Sequence, residues 1–171
     1  RILLAEDGRV NQIVAVNLLK ERGHEVAVAA NGREALELFA TRDFDAILMD
    51  VLMPEMNGFE ATVAIREQEK LTGGHIPIIA MTANAMLDDR DQCMAAGMDD
   101  FIAKPLEPQV LYAALRRWVQ QAEIDAGRGT PGALTTSERE ELVALRRETK
   151  RLRMERDLLK KATAFFAKES E

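Results

Sequence analysis

The chain has 171 residues, 47% of them hydrophobic, which suffices for one domain with a packed core and an appendage. No apolar run approaches the roughly 18 residues of a membrane helix and no signal-peptide pattern is visible, so no membrane contact is expected of this segment. One cysteine, Cys93, excludes an internal disulfide and fits a reducing compartment, with the cytoplasm as the expected location. Residues 1–133 hold 13 Lys and Arg against 21 Asp and Glu, whereas residues 134–171 hold 10 against 8. The acidic part repels nucleic acid, and only the tail carries any charge that attracts it.

Strand character begins directly after Arg1, as expected of an excised piece or of one whose disordered start is missing from the numbering. The apolar run 2–5 leads into Glu6-Asp7. A helix is predicted over 10–22, with Val10, Ile13, Val14, Val16 and Leu19 broadly on its buried face and Gly23 as its stop. A strand over 25–29, the turn Asn31-Gly32 and a helix over 32–41 follow. The run Ala46-Ile47-Leu48-Met49 leads into Asp50, and a helix is predicted over 58–68, then the turn Gly73-Gly74. A strand over 78–81 leads into Thr82, and a helix over 88–96 stops at Gly97. The last strand, 100–103, leads into Lys104-Pro105 and a helix over 107–122. Continuous apolar runs of this length read as buried parallel strands. Their strict alternation with helices predicts an α/β doubly wound parallel sheet with right-handed crossovers.

From 123 to 134 the texture changes to a flexible linker carrying Gly127, Gly129, Pro131 and Gly132. A single helix is predicted over 135–169, opened by a capping box of Thr135 with Glu138 or of Ser137 with Glu140. Leu145, Leu152, Leu159 and Phe166 recur every seven residues, while Leu142 opens a companion series continued only by Thr149, Arg156 and Thr163. This amphipathic, coiled-coil-like helix leaves an apolar stripe to be covered by a second chain or against the globular domain, and homo-oligomerisation, most simply as a dimer, is the expectation. Its basic residues Arg146, Arg147, Lys150, Arg153, Lys160 and Lys161 are interleaved with Glu141, Glu148, Glu155 and Asp157, the pattern of a solvated face rather than a DNA surface. The organisation is therefore a domain over 1–122, a linker over 123–134 and a helix over 135–169.

Parallel sheets build their sites at the carboxyl ends of the strands. Four strand ends here deliver Glu6, Asp7 and Asp50, the Thr82 hydroxyl and the Lys104 ammonium to one edge. That set suits phosphoryl transfer, which needs an oxygen nucleophile and neutralised charge on the transferred group. Asp50 is the candidate nucleophile. Asp7 and Asp50 offer oxygens to Mg2+, Glu6 acts through a bound water, and Lys104 and Thr82 meet the phosphoryl oxygens. Taken singly, each residue has a plainer reading: a strand-end acid caps a helix, a threonine is an N-cap, a lysine sits in a turn. Their joint placement is what favours chemistry.

Residues 1–120 resemble the receiver domain of bacterial two-component signalling, on Glu6-Asp7, Asp50, Met53-Pro54, Gly58, Thr82 and Lys104-Pro105. The resemblance implies a flavodoxin-like (βα)5 fold of strand order 2-1-3-4-5, with Asp50 as phosphoacceptor. It adds the backbone carbonyl of Leu52 to the Mg2+ ligands, makes the Lys104–Pro105 peptide cis, and makes Phe101 a switch aromatic that turns inward as Thr82 moves. Val10-Asn11-Gln12, the stretch from Met49 to Gly58 and Ala80-Met81-Thr82-Ala83-Asn84-Ala85 are most similar to receivers of hybrid sensor kinases. The chain is then expected to be a fragment of a hybrid histidine kinase, taking phosphate from a histidine kinase or phosphotransfer protein. It is not expected to be an enzyme beyond Mg-dependent self-phosphorylation and, with apolar Leu52 unable to orient a water, slow self-dephosphorylation. Gly8 departs from the pattern, where such receivers often carry Asn. His24 and His75 receive no role. The tail over 151–168 resembles the zipper of the small helix-turn-helix protein of one insertion-sequence transposase family, which implies multimerisation and makes the whole a chimera. The competing readings are a scaffold whose zipper is the working part and a DNA-associated regulator.

Overall fold

The computed structural model describes residues 1–83, 87–125, 127–128 and 132–169, apart from the side chains of 87–89, 140, 147 and 157–169. Asn84, Ala85 and the side chains of Leu159 and Phe166 thus lie outside the described residues. Five strands and six helices follow in chain order: β1 Ile2–Ala5, α1 Arg9–Glu21, β2 Val26–Ala29, α2 Gly32–Thr41, β3 Ala46–Asp50, α3 Gly58–Thr72, β4 Ile78–Thr82, α4 Leu87–Ala96, β5 Asp100–Ala103, α5 Pro108–Asp125 and α6 Thr136–Glu169.

The strands form one parallel sheet in the order β2-β1-β3-β4-β5. Side chains alternate across a strand, so each apolar run feeds two cores. Leu3, Ala5, Ile47, Met49, Ile78 and Ala80 pack on one face with Ala35, Ala61, Ile65 and Cys93 from α2, α3 and α4. Ile2, Leu4, Leu48, Ile79, Met81 and Ile102 pack on the other with Ala15 and Leu19 from α1 and Leu111, Ala114 and Leu115 from α5. Burial on both sides explains why these strands show no polar alternation, and each fully buried Ile or Leu contributes about 1.5–3 kcal/mol.

The expected face of α1 is corrected. Ala15 and Leu19 are buried, whereas Val10, Ile13 and Val14 are 73%, 56% and 44% exposed. Val10 and Leu19 are nine positions apart, about two and a half turns, which sets them on opposite sides of a helix. Two helices also outrun their expected ends. α3 continues to Thr72 and stops only where Gly73 and Gly74 take φ of 78° and 96°. α5 continues to Asp125, because Ala122-Glu123-Ile124-Asp125 contains no breaker.

The chain divides into two compact units, Arg1–Trp118 and Val119–Glu171. Within the second, the carboxylate of Asp125 accepts from the Thr136 N–H and hydroxyl at 2.7 and 2.6 Å. Thr135 and Glu138 exchange the reciprocal bonds of a capping box at the start of α6, which at 34 residues is about 51 Å long. Leu145 and Leu152 on that helix are about half exposed. No helix among the described residues is long and apolar enough to cross a membrane.

Candidate functional site

Because all five strands are parallel, their carboxyl ends share one edge, and the residues just past β1, β3, β4 and β5 meet there. Carboxylate oxygens of Glu6, Asp7 and Asp50 lie within 4.8 Å of one another. Glu6 and Asp50 are buried and Asp7 is exposed. The Lys104 ammonium reaches in from the end of β5, donating to Asp50 Oδ2 at 2.7 Å and standing 2.6 Å from Glu6 Oε2 as an ion pair. Three acids and one cation in a partly dry pocket leave net negative charge, and hard oxygen donors of this kind suit Mg2+.

Each residue is fixed locally. Asp50 Oδ1 accepts from the Leu52 N–H at 3.4 Å. Glu6 Oε1 accepts from the Gly8 N–H at 3.2 Å and from the Asn11 amide at 2.8 Å, while the Glu6 carbonyl accepts from the Gln12 amide at 2.6 Å. The loop after Asp50 folds back so tightly that a Cβ on Gly58 would stand 2.1 Å from the Asp50 carbonyl oxygen. Only glycine fits there. Thr82 is buried at the end of β4, and its carbonyl accepts from the Lys104 N–H at 2.7 Å ahead of the cis Lys104–Pro105 peptide. Phe101 packs against the core with the Arg90 guanidinium 5.7 Å from its ring centroid.

Burial pushes the Asp50 carboxyl above the usual aspartate range; the Lys104 hydrogen bond opposes that rise and the Glu6 charge adds to it. Burial acts to lower Lys104, but the contacts with Asp50 and Glu6 outweigh it and hold the ammonium above its ordinary value. The edge therefore carries a partly desolvated carboxylate beside a firmly protonated lysine, an arrangement fit for an acyl-phosphate.

Glu6, Asp7, Asp50 and Lys104 thus stand together, with Thr82 at the adjoining strand end. Sequence reasoning gave Asn11 and Gln12 no individual role, although amides one turn into a helix that follows an acidic strand end are placed to reach back. It also missed a network at the opposite edge of the sheet. There Arg66 bonds Glu69, Asp99 and the carbonyls of Ile76 and Gly97, and His75 pairs with Asp99 at 2.6 Å.

A family model for the response regulator receiver domain matches residues 2–116. The chain belongs to that family. The receiver is 42% identical over 120 residues to hybrid signal transduction histidine kinase I of Dictyostelium discoideum, covering 67% of this chain and 7% of that protein. It is 37% identical over 139 residues to histidine kinase 2 of Arabidopsis thaliana, covering 70% and 12%. The chain thus spans a small part of the curated relatives it matches. Among solved structures, the receiver domain of a sensor histidine kinase from Pseudomonas aeruginosa, with a magnesium ion coordinated in its active-site cleft, has a TM-score of 0.63 at 43% identity, covering 69% of this chain and 95% of that one. The receiver domain of a response regulator of Saccharomyces cerevisiae, crystallised with its histidine phosphotransfer protein, has a TM-score of 0.67 at 27% identity, covering 68% and 86%.

Proposed function

We propose that this receiver accepts a phosphoryl group on Asp50 from the phosphohistidine of a histidine kinase or a histidine phosphotransfer protein. The placement of Asp50 beside Glu6, Asp7 and Lys104 on one sheet edge carries the reading. An Asp50 carboxylate oxygen attacks phosphorus, the P–N bond breaks, and the histidine nitrogen leaves with its electron pair and takes a proton. Asp7, Asp50 and the backbone carbonyl of Leu52 would hold Mg2+, with Glu6 acting through water, and the bound ion would supply neutralisation of charge on the phosphoryl oxygens. Lys104 gives up its bond to Asp50 and pairs with a phosphoryl oxygen. The Thr82 hydroxyl turns toward the same group, and Phe101 follows into the space Thr82 leaves. The exposed Val10, Ile13 and Val14 on α1, close after Asp7, form an apolar surface on which the donor protein docks.

The donor set is supported by the magnesium-bound Pseudomonas relative, and the donor protein by the yeast complex. The receiver takes up phosphate from small donors without a partner and loses it slowly. Residues 1–122 serve as this acceptor in the cytoplasm. The segment 123–134 links it to a helix over 135–169 that pairs with a second copy through Leu142, Leu145, Leu152, Leu159 and Phe166, in the manner of the transposase-type zipper it resembles.

The decisive experiment mixes the protein with Mg2+ and phosphoramidate and records intact mass. A gain of about 80 Da, one phosphoryl group, is expected. It is absent from Asp50→Asn and abolished by EDTA. Equal labelling of Asp50→Asn sinks the assignment.

A further inference from the structure

Glu6 is longer than an aspartate by one methylene and still almost fully buried at 1% exposure. A glutamate left free at this edge could rotate its carboxylate and offer either or both oxygens. Here it cannot. Oε1 is taken by the Asn11 amide and the Gly8 N–H at the start of α1, which leaves Oε2 alone facing Lys104. The amino end of a helix favours a carboxylate in this place, because its first N–H groups lack partners within the helix.

Position 8 makes the arrangement sterically possible. Gly8 is the N-cap of α1 and makes no side-chain cap bond, although serine, threonine, aspartate and asparagine are the stronger caps. A Cβ there would stand 2.9 Å from Glu6 Oε1 and 3.0 Å from Asn11 Nδ2. The Cβ of any side chain at position 8 would press on the ends of both side chains, which must shift to admit it. The helix thus forgoes a cap, and the space holds the Glu6–Asn11 bond.

We propose that Asn11, in the space left by Gly8, is a positioning residue of the acid cluster. It locks the Glu6 carboxylate so that a single oxygen faces Lys104 and the metal side, and it thereby sets the affinity for Mg2+. The proposal rests on the reading of Glu6, Asp7 and Asp50 as a Mg2+ site. Partners that orient the groups around a metal are worth about 10–100-fold in affinity, and Asn11 acts in that way on a residue that itself works through water.

Mg2+ is titrated by calorimetry into the full chain, Asn11→Ala, Gly8→Ala, Glu6→Ala and the double variants Glu6→Ala/Asn11→Ala and Gly8→Ala/Asn11→Ala, with thermal unfolding of each in EDTA. Asn11 is exposed, so its removal leaves the fold in place. Asn11→Ala and Gly8→Ala are each expected to weaken Mg2+ binding about 10-fold, at unchanged melting temperature for Asn11→Ala. Asn11→Ala has no further effect once Glu6 is alanine, and the Gly8/Asn11 double variant loses no more than either single one. Unaltered Mg2+ affinity in Asn11→Ala overturns the proposal while the metal site stands. So does a loss that persists in the Glu6→Ala background, or additive losses at positions 8 and 11. Absence of Mg2+ binding by the unaltered chain overturns the site reading and the proposal together.

Discussion

Lys104 holds the unphosphorylated site together, since its ammonium is the cation that meets both Asp50 and Glu6. Lys104→Ala leaves two buried carboxylates facing each other and removes a charge that stabilises the transferring group. Phosphorylation from phosphoramidate should fall by about 100-fold, the usual cost of one such donor. The acid side of the rate profile moves as well. Asp50 must be ionised to attack, and its carboxyl already titrates above the usual range through burial. Without the lysine that carboxyl rises further, so the rate is lost at a higher pH than in the unaltered chain, which a profile of initial rates checks. Gly58→Ala tests the backbone beneath the nucleophile. Its Cβ would meet the Asp50 carbonyl at 2.1 Å, and urea unfolding should show a loss of about 1–3 kcal/mol. Asp50, Lys104 and Thr82 were legible in the sequence because each stands next to an apolar run that fixes its strand end. Asn11 and Arg90 were not, because their roles depend on where a helix side chain points across a loop.

At the scale of elements, the edge opposite the acid cluster ties α3 to β4 and β5. Asp99 there accepts from Arg66, His75 and the Ile78 N–H. Asp99→Ala therefore leaves Glu69 as the one carboxylate on the Arg66 guanidinium, takes the acceptor from the Ile78 N–H and should cost about 1–3 kcal/mol in denaturant unfolding. His75 adds a pH dependence. The hydrogen bond that it donates to Asp99 raises its pKa, burial opposes, and the net shift is upward. The folded chain therefore binds the proton more tightly than the unfolded one. The contribution is complete below the unfolded value of about 6.5 and is lost as pH rises through the higher folded value. Unfolding free energy should accordingly drop more for the unaltered chain than for His75→Gln between about pH 6 and pH 9. The strands were readable to within a residue, because burial on both faces forces unbroken apolar runs. The α1 face was misread, because Val10 and Leu19 look alike in sequence but lie across the helix from each other. This opposite-edge network was hidden for a related reason: Arg66, Glu69, His75 and Asp99 have no shared spacing, and only the closed sheet brings them together.

For the whole molecule, the proposed pairing through the second unit sets how many receivers would travel together. The stripe through Leu145 and Leu152 is half exposed in a single chain, and a helix of this length gains by covering it. Truncation after Asp125 keeps α5 whole, and light scattering should then report a monomer where the full chain reports a dimer. An identical mass for both removes α6 as the pairing element. The receiver fold was legible across its whole span, since four of its five strand ends carry a chemical marker. The tail disclosed a helix and a seven-residue period, but Thr149 and Arg156 interrupt the seam, so partner number and direction were not encoded in any simple repeat.

Leu52 lies two residues past Asp50 and is 73% exposed. On the function proposed above, its apolar side chain offers no hydrogen bond to a water in line with an acyl-phosphate, so a phosphoryl group on Asp50 would wait until another protein comes to collect it. Such a molecule would behave as a store rather than a timer, the duration of its charged state being decided by the traffic of partners around it. Replacing Leu52 with a hydrogen-bonding residue such as Asn would return that decision to the chain itself.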